Sequence, residues 1–420
     1  MILSMSLRNF RSIREQNVRI APMTVVYGPN GAGKSSLIYA LLTLKNIVLN
    51  PNQPVDAFFN YGWLNLGGFK QVVFGHDERT PVALGVERAV TWPDGLDRDT
   101  SYSVTLWPGR GAFRLRAGQA IHADLRLEVS FPHPASMLLR TKWEQYDAIS
   151  HWNGIFARLE QRPGAPLLDG AEDRLNNLNV ALNTLPATVA SAQAVPLRRG
   201  FFKPSYGMVP LTPVAVNEDE MATYLANEKY LRDEVSAYLE EIVERRFSVN
   251  VTPGTALFSL DCFDARRKVS TELVNEGFGT NQLVYLLTVA LRKDASVVCI
   301  EEPEVHLHPT AIRRLARALS TIAKEKNRSF VISTHSEQFV LALLAMVKEG
   351  KLGHDEVACY LATKRDRETR FERQPVEPTG QIKGGLSSFL EGEMEDLRTF
   401  LGVAENGGEA SDVKPPDRAE

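Results

Sequence analysis

Short apolar runs bounded by glycine and proline alternate along this chain with stretches of helical period, a pattern that predicts an α/β protein. Thr24 to Tyr27 read as a short buried strand, Gly28 to Lys34 as a loop, and Ser35 to Leu49 as a helix with Leu37, Ile38, Leu41, Leu42 and Val48 on one face. Val297 to Ile300 form an apolar run that predicts a central parallel strand, and Phe330 to Ile332 predict another. Between these ends, "SYSVTLW" and "LRLEVSF" favour strands, whereas "SMLLRTKWEQYDAISHWNGIFARLEQR" favours helix. Residues 217 to 247 place Met221, Tyr224, Leu225, Leu231, Val235, Tyr238, Leu239 and Ile242 on one stripe, with Asn217 and Glu220 suiting a capped start, and predict a single helix. That helix is too short, and lacks the sustained heptad seam, to be a coiled-coil arm. The resulting division is an N-terminal lobe with a β subdomain over 1–131, a helical insertion over 132–246 and a C-terminal lobe over 247–400. The Gly-, Pro- and acid-rich residues 401–420 predict a disordered tail.

A chain of 420 residues with 44% hydrophobic content can bury one large core or two moderate ones. Its formal net charge of −3 gives no global electrostatic reason for tight nucleic-acid binding, so any such contact must be local. Cys262, Cys299 and Cys359 are too few and too scattered for a disulfide framework or a thiolate metal site, which fits the cytoplasm. The start "MILSMSLRNFRSIRE" is apolar for only a few residues, and the later run "FVLALLAMV" is well short of the ~20 residues that span a bilayer. Neither secretion nor membrane insertion is expected.

The loop in the first strand-loop-helix unit, "GPNGAGKS", fills every position of G-x-x-x-x-G-K-[ST] in the context that motif requires. Gly28, Gly31 and Gly33 permit backbone conformations that turn successive N–H groups toward one anion, and the helix N-terminus adds a favourable dipole. Asn30, Gly31, Ala32, Gly33, Lys34, Ser35 and Ser36 are therefore the expected nucleotide-binding residues. Lys34 would reach the β- and γ-phosphates of ATP, and the Ser35 hydroxyl would ligate Mg²⁺.

A phosphate loop alone does not separate kinases, GTPases, transporters and mechanical ATPases. The stretch "SVVCIEEPEVHLHP" narrows the field, because its strand delivers Glu301 and Glu302 at the carboxyl end, where open α/β sheets bind ligands. Glu301 would ligate or orient water on Mg²⁺, and Glu302 would polarise the water that attacks the γ-phosphorus. In "FVISTHSEQF" the strand ends beside these sites, so His335 could hydrogen-bond a γ-phosphate oxygen or the attacking water. Glu304, His306 and His308 offer a rival transition-metal reading, but nothing nearby in sequence supplies a clear set of further ligands.

Together "SLRNFRSI", the phosphate loop, "VPLRRGFFKPSY", "NEGFGTNQL", "EEPEVHLHP" and "STHSE" resemble the ABC-type ATPase heads of the structural-maintenance-of-chromosomes and DNA-repair class. More narrowly they resemble the stand-alone AAA-labelled ATPases related to the overcoming-lysogenization-defect family. The resemblance implies an ABC-type head with a mixed or parallel sheet, an antiparallel β subdomain and a helical insertion. It makes Glu301 the Walker B acid, Glu302 the catalytic base, His335 the switch histidine and "EVHLHP" a loop that touches the opposite subunit. It also implies a signature segment that binds the γ-phosphate held by the other protomer, and Asn275, Gly277 and Gly279 stand where that segment should be. Asn275 departs from the serine usual there. Gln71, in "GGFKQVVFG", is the matching candidate for a glutamine that reads Mg²⁺.

The implied assembly is a homodimer or higher oligomer closed on ATP, working with a separate effector such as a nuclease or toxin. Basic clusters at 196–203, 265–268, 312–317 and 363–370 could form a DNA or RNA track only in a groove between subunits. In the third, Ile312, Leu315, Leu319 and Ile322 form a buried stripe that leaves Arg313, Arg314 and Arg317 in solvent. Two functions fit: an ATPase whose dimerisation regulates an effector in genome maintenance or anti-phage defence, or a slow or non-hydrolysing ATP-sensing scaffold in a larger assembly.

Overall fold

The apolar runs at 23–27, 297–301 and 329–334 come together as adjacent strands of one six-stranded sheet. The structure is a computed structural model that describes residues 3–91, 95, 97–117, 123–134, 139–143, 148–164, 170–212 and 217–382. The expected tail at 401–420 lies outside the described residues.

The central sheet runs β11 (Gln193–Val195), β16 (Val297–Glu301), β17 (Ser329–Thr334), β3 (Met23–Tyr27), β18 (Val357–Arg365) and β19 (Glu368–Gln374). Every neighbouring pair is parallel except β18 and β19. Strands β3, β16 and β17 are buried along their whole length, which explains their continuous apolar character. Their register sets Glu301 opposite Ser333 and Thr334 opposite Tyr27, so three loops leave the sheet at one end.

A second sheet, wholly antiparallel, is the expected β subdomain. It orders β2 (Ile13–Ile20), β1 (Leu3–Phe10), β4 (Val82–Thr91), β5 (Asp97–Trp107), β6 (Arg110–Ala117) and β7 (Ala123–Ser130). Its buried side chains, among them Met5, Leu7, Leu84, Val86, Tyr102 and Phe113, share one core with helix α1 (Ser35–Leu49). The short helix α2 (Phe69–Val72) buries Phe69 and Val72 in the same core.

Two helical expectations are corrected. The stretch after residue 136 forms a three-stranded antiparallel sheet, β8 (Leu139–Trp143), β9 (Ala148–Trp152) and β10 (Ala157–Gln161). The tight connection Asn153–Gly154, with Gly154 at φ 93°, and the burial alternation of Ala157 to Gln161 outweigh helix propensity there. Helix α3 (Ala171–Ala190) closes the edge of β10 with two side-chain amides. Asn183 accepts from Ala157 N at 2.9 Å and donates to Ala157 O at 2.7 Å, and Asn179 does the same at Leu159, at 2.6 and 3.3 Å. These amides take the place of a further strand, satisfying an edge that would otherwise invite another chain.

The stripe over 217–247 is divided between α4 (Glu218–Asn227) and α5 (Lys229–Val243), because Glu228 leaves helical geometry at φ −101°, ψ 90°. Each helix carries its own buried residues, Met221 and Leu225 on α4 and Leu231, Val235, Leu239 and Ile242 on α5. The expected cap is present, with Asn217 Oδ1 accepting from Glu220 N at 2.9 Å. A third antiparallel sheet joins β12 (Tyr206–Gly207), which precedes these helices, to β14 (Leu257–Asp264), β13 (Arg245–Val251) and β15 (Val269–Glu272), which follow them and lead to α6 (Phe278–Leu291). Helices α7 (Pro309–Glu325) and α8 (Glu337–Lys348) complete the C-terminal part. Among the described residues no helix is long and apolar enough to cross a membrane.

Candidate functional site

The glycine loop sits where β3 hands over to α1, and its glycines are there for different reasons. Gly28 (φ 139°) passes so close to the Ala362 carbonyl that a side chain would collide with it. Gly33 (φ 92°) packs in the same way on the Thr369 hydroxyl, with Ser12 Oγ 3.1 Å from where a Cβ would lie. Gly31 (φ 73°) faces open space, nothing lying within 4 Å of its would-be Cβ, so this part of the loop is free to meet a ligand. Lys34 is only 7% exposed, and its Nζ donates to Gly28 O at 3.1 Å and Pro29 O at 3.0 Å. Burial lowers its pKa from the ordinary lysine value, and Glu302 and Glu304 oppose that shift.

Glu301 ends β16 as a buried carboxylate, 7% exposed. Its Oε2 accepts from Tyr39 Oη at 2.9 Å, and the Ser35 hydroxyl lies near enough to favour the ionised form. Oε1 has no partner. Burial therefore raises the Glu301 pKa, the two hydroxyls only partly offsetting it. A buried carboxylate with one free oxygen, beside a Ser hydroxyl at the foot of a phosphate-type loop, is a donor set suited to a hard divalent cation such as Mg²⁺.

Glu302 follows with φ 42°, its N–H donating to Ser333 O at 2.8 Å. This turn takes its carboxylate off the strand line to within 3.6 Å of His335 Nε2, both side chains being about one third exposed. Burial, then the charge of Lys34, pulls the His335 pKa below the ordinary histidine value, against the pull of Glu302 and Glu304. Glu304 braces the histidine's own loop: its Oε1 accepts from Thr334 Oγ1 at 2.8 Å and from the His335 N–H at 2.7 Å, while its buried Oε2 has no partner. Among the described residues there is no group of three or more His, Cys, Asp or Glu placed to hold a metal. His308 caps α7 by accepting from Thr310 N at 3.3 Å, and His306 (φ 63°) lies 5.6 Å from the Phe278 ring.

The remaining sequence candidates divide. Gly277 caps α6 and has nothing within 4 Å of its would-be Cβ, whereas at Gly279 a Cβ would lie 2.5 Å from the His306 carbonyl oxygen. The glycine segment and the "EVHLHP" loop are thus packed against each other, next to an exposed Phe278 (63%). Asn275 is exposed, and its Nδ2 donates to Glu272 at 3.1 Å. Gln71 is not brought to Ser35 or Glu301. Its Oε1 accepts from Gly68 N at 3.0 Å, so the carboxamide caps its own one-turn helix.

Residues 218–342 match a family model described as "AAA domain, putative AbiEii toxin, Type IV TA system", and residues 4–44 match one described as "AAA domain". The second match contains the whole glycine loop and the first contains Glu301, Glu302 and His335. The fold is that of a P-loop ATPase head. Three solved heads are similar over most of their length. They are an SmcHead bound to the C-winged helix domain of ScpA (13% identity, 89% of this chain and 98% of that one, TM-score 0.49), the SMC head domain from Thermotoga maritima (11%, 90% and 99%, 0.42), and an Smc head domain with an extended coiled coil bound to the C-terminal domain of ScpA derived from Pyrococcus furiosus (12%, 96% and 100%, 0.47). No curated protein matches the chain.

Three residues of this head escaped sequence reasoning. Tyr39 is one turn into α1 and gave no signal beyond an aromatic on a buried helix, yet it holds Glu301. Thr369, from β19, bonds Ala32 O at 2.8 Å and Ser12 Oγ at 2.7 Å, tying the phosphate loop to a strand more than three hundred residues away. Arg199 was counted within a basic cluster with solvent-facing candidates, and it is 3% exposed. In the third cluster the arginines do face outward, where they pair within the chain: Arg313 with Gln338, Arg314 with Glu244 and Arg317 with Glu349.

Proposed function

We propose that this head binds ATP with Mg²⁺ and hydrolyses it, and that two copies closing on the nucleotide regulate a separate effector such as a nuclease or toxin. The observation that carries the reading is the pairing of two unlike carboxylates on one strand end. Glu301 is buried with a free oxygen beside Ser35, and Glu302 is half-open and within 3.6 Å of His335. Bound there, Mg²⁺ would neutralise charge on the β- and γ-phosphate oxygens. Lys34 would supply the matching point charge from the loop, and backbone N–H groups around Gly31 would supply hydrogen bonds. Glu302 takes the proton of the attacking water. His335, held largely neutral at pH 7 by its lowered pKa, can donate one hydrogen bond to the γ-phosphate or accept one from the water.

The surface around Gly277 supports assembly. The open N-terminus of α6, with no acid in its first turn, and the exposed Phe278 beside His306 form a face suited to a second copy's nucleotide. Asn275 and Gly279 belong to the same face. The match of residues 218–342 to a family described as a putative AbiEii toxin of a Type IV TA system supports the effector part of the reading and suits anti-phage defence. A cytoplasmic setting agrees with three free, buried thiols.

The test uses Glu302→Gln protein, which should bind ATP and grow in mass by light scattering when ATP and Mg²⁺ are added. Mixing Lys34→Ala with Gly277→Trp protein should restore part of the turnover that each lacks alone, because each supplies the half-site the other has lost. No rescue in the mixture, together with a mass indifferent to ATP, would refute the shared site.

A further inference from the structure

The chain leaves β11 beside the strand that carries the two acids, with Val195 paired to Ile300, so residues 196–202 run past the same sheet end as Glu301 and Glu302. In that segment Arg199 turns inward. Its Nη1 donates to Glu301 O at 2.7 Å and to Pro196 O at 3.0 Å, and its Nη2 donates to Glu302 O at 2.9 Å. One planar fork therefore spans the two consecutive carbonyls at the point where Glu302 adopts φ 42°, a left-handed conformation that a non-glycine residue holds only when its surroundings impose it.

The segment has a second attachment. Asn281, 4% exposed on the first turn of α6, accepts from Phe201 N at 2.7 Å and donates to Phe201 O at 2.8 Å and Leu273 O at 3.2 Å. Gly200 (φ 134°) allows this approach, since a Cβ there would lie 2.8 Å from Asn281 Oδ1. A single stretch thus joins the glycine-capped helix of the partner-facing surface to the backbone of the general-base candidate. Nothing else about a buried arginine requires that it grip both carbonyls of the acid pair.

The geometry points to Arg199 as the positioning residue for Glu302, holding the turn that aims its carboxylate, with Asn281 fixing the Arg199 segment to α6. This inference rests on the ATPase reading. Burial lowers the guanidinium pKa to about 10, which leaves the group charged at neutral pH and its hydrogen bonds charge-assisted. Loss of the fork frees the Glu302 backbone to relax toward ordinary dihedrals, moving the carboxylate without touching the phosphate loop. A displacement of about 1 Å in a reacting group costs on the order of 10²-fold in rate.

The experiment measures ATP affinity by calorimetry and steady-state turnover for wild type, Arg199→Met, Glu302→Gln and the double variant, with folding checked by circular dichroism. Arg199→Met should leave Kd and KM within about twofold and lower kcat by roughly 10- to 100-fold. In the Glu302→Gln background the same change should alter the residual rate by less than about twofold, because Arg199 then has no base to aim. An equal loss in both backgrounds, or an unchanged kcat in the single variant, would overturn the inference. Should Arg199→Met not fold, Arg199→Lys keeps the charge and stem while losing the two-pronged reach. It should show the same kcat-selective loss, and full activity in it would count against the inference. Wild-type turnover in the same assay separates the two levels: its absence sinks the hydrolysis reading itself, whereas its presence with unaffected variants sinks only the role of Arg199.

Discussion

Glu301→Gln should stabilise the nucleotide-free protein while removing its response to Mg²⁺. The wild-type carboxylate is 7% exposed, has one oxygen bonded to Tyr39 and one with no partner, and has its pKa raised by burial. A raised acid pKa means that the folded protein binds a proton more tightly than the unfolded chain. Stability from this group is therefore highest below the ordinary glutamate pKa and falls as pH rises through the raised folded value. Leaving a buried charged oxygen unpaired costs about 1–3 kcal/mol, and the neutral amide lowers that cost while keeping the side chain's shape and its bond from Tyr39. We expect a gain of about 1 kcal/mol near pH 7.5, read as a melting temperature higher by roughly 2 °C, and no gain near pH 4. Mg²⁺–ATP at about a hundredfold over its Kd should add about 2.7 kcal/mol to wild type and far less to the variant. Differential scanning fluorimetry across pH, with and without Mg²⁺–ATP, gives both numbers. A Gln variant less stable than wild type at pH 7.5 without nucleotide would show that the Glu301 charge is already compensated, and would refute this reasoning.

Lys34→Ala removes the loop lysine proposed to reach the phosphates and should reduce ATP affinity beyond calorimetric detection; wild-type affinity would defeat the phosphate-loop assignment. Gly279→Ala should destabilise by up to about 2 kcal/mol, an overpacking cost of about 1–3 partly offset by about 1 of helix preference, because the new methyl meets the His306 carbonyl. Gly277→Ala, with open space around the added carbon, should stay within about 0.5 kcal/mol of wild type in urea unfolding, and equal losses at the two positions would contradict the packing described.

Much of the central sheet was legible because burial on both faces leaves an unbroken apolar signature, as in Val297–Ile300 and Phe330–Ile332, and because glycine spacing announces a phosphate loop whatever surrounds it. The strands β8 to β10 were less so. Their alternation is short, and their edge is completed by Asn179 and Asn183 from a helix, a tertiary device that no local window contains. The division of 217–247 was not legible, because Tyr224 and Leu231 stand seven residues apart and carry the apolar stripe across the break at Glu228 without a change of period. Arg199, Thr369 and Tyr39 could not be found by pattern. Each acts through a contact reaching across at least one hundred residues of chain, and an arginine in a basic run looks the same whether it faces water or a pair of carbonyls.

The central claim is that Glu302 is the base of an ATPase whose phosphate loop and acid strand meet in one head. Single-turnover hydrolysis of γ-labelled ATP by wild type and Glu302→Gln, with Mg²⁺ and enzyme in excess, tests it most directly. The account predicts equal ATP binding and a hydrolysis rate lower by on the order of 10²-fold or more in the variant, the range that general-base catalysis contributes. Equal rates in the two proteins would contradict it.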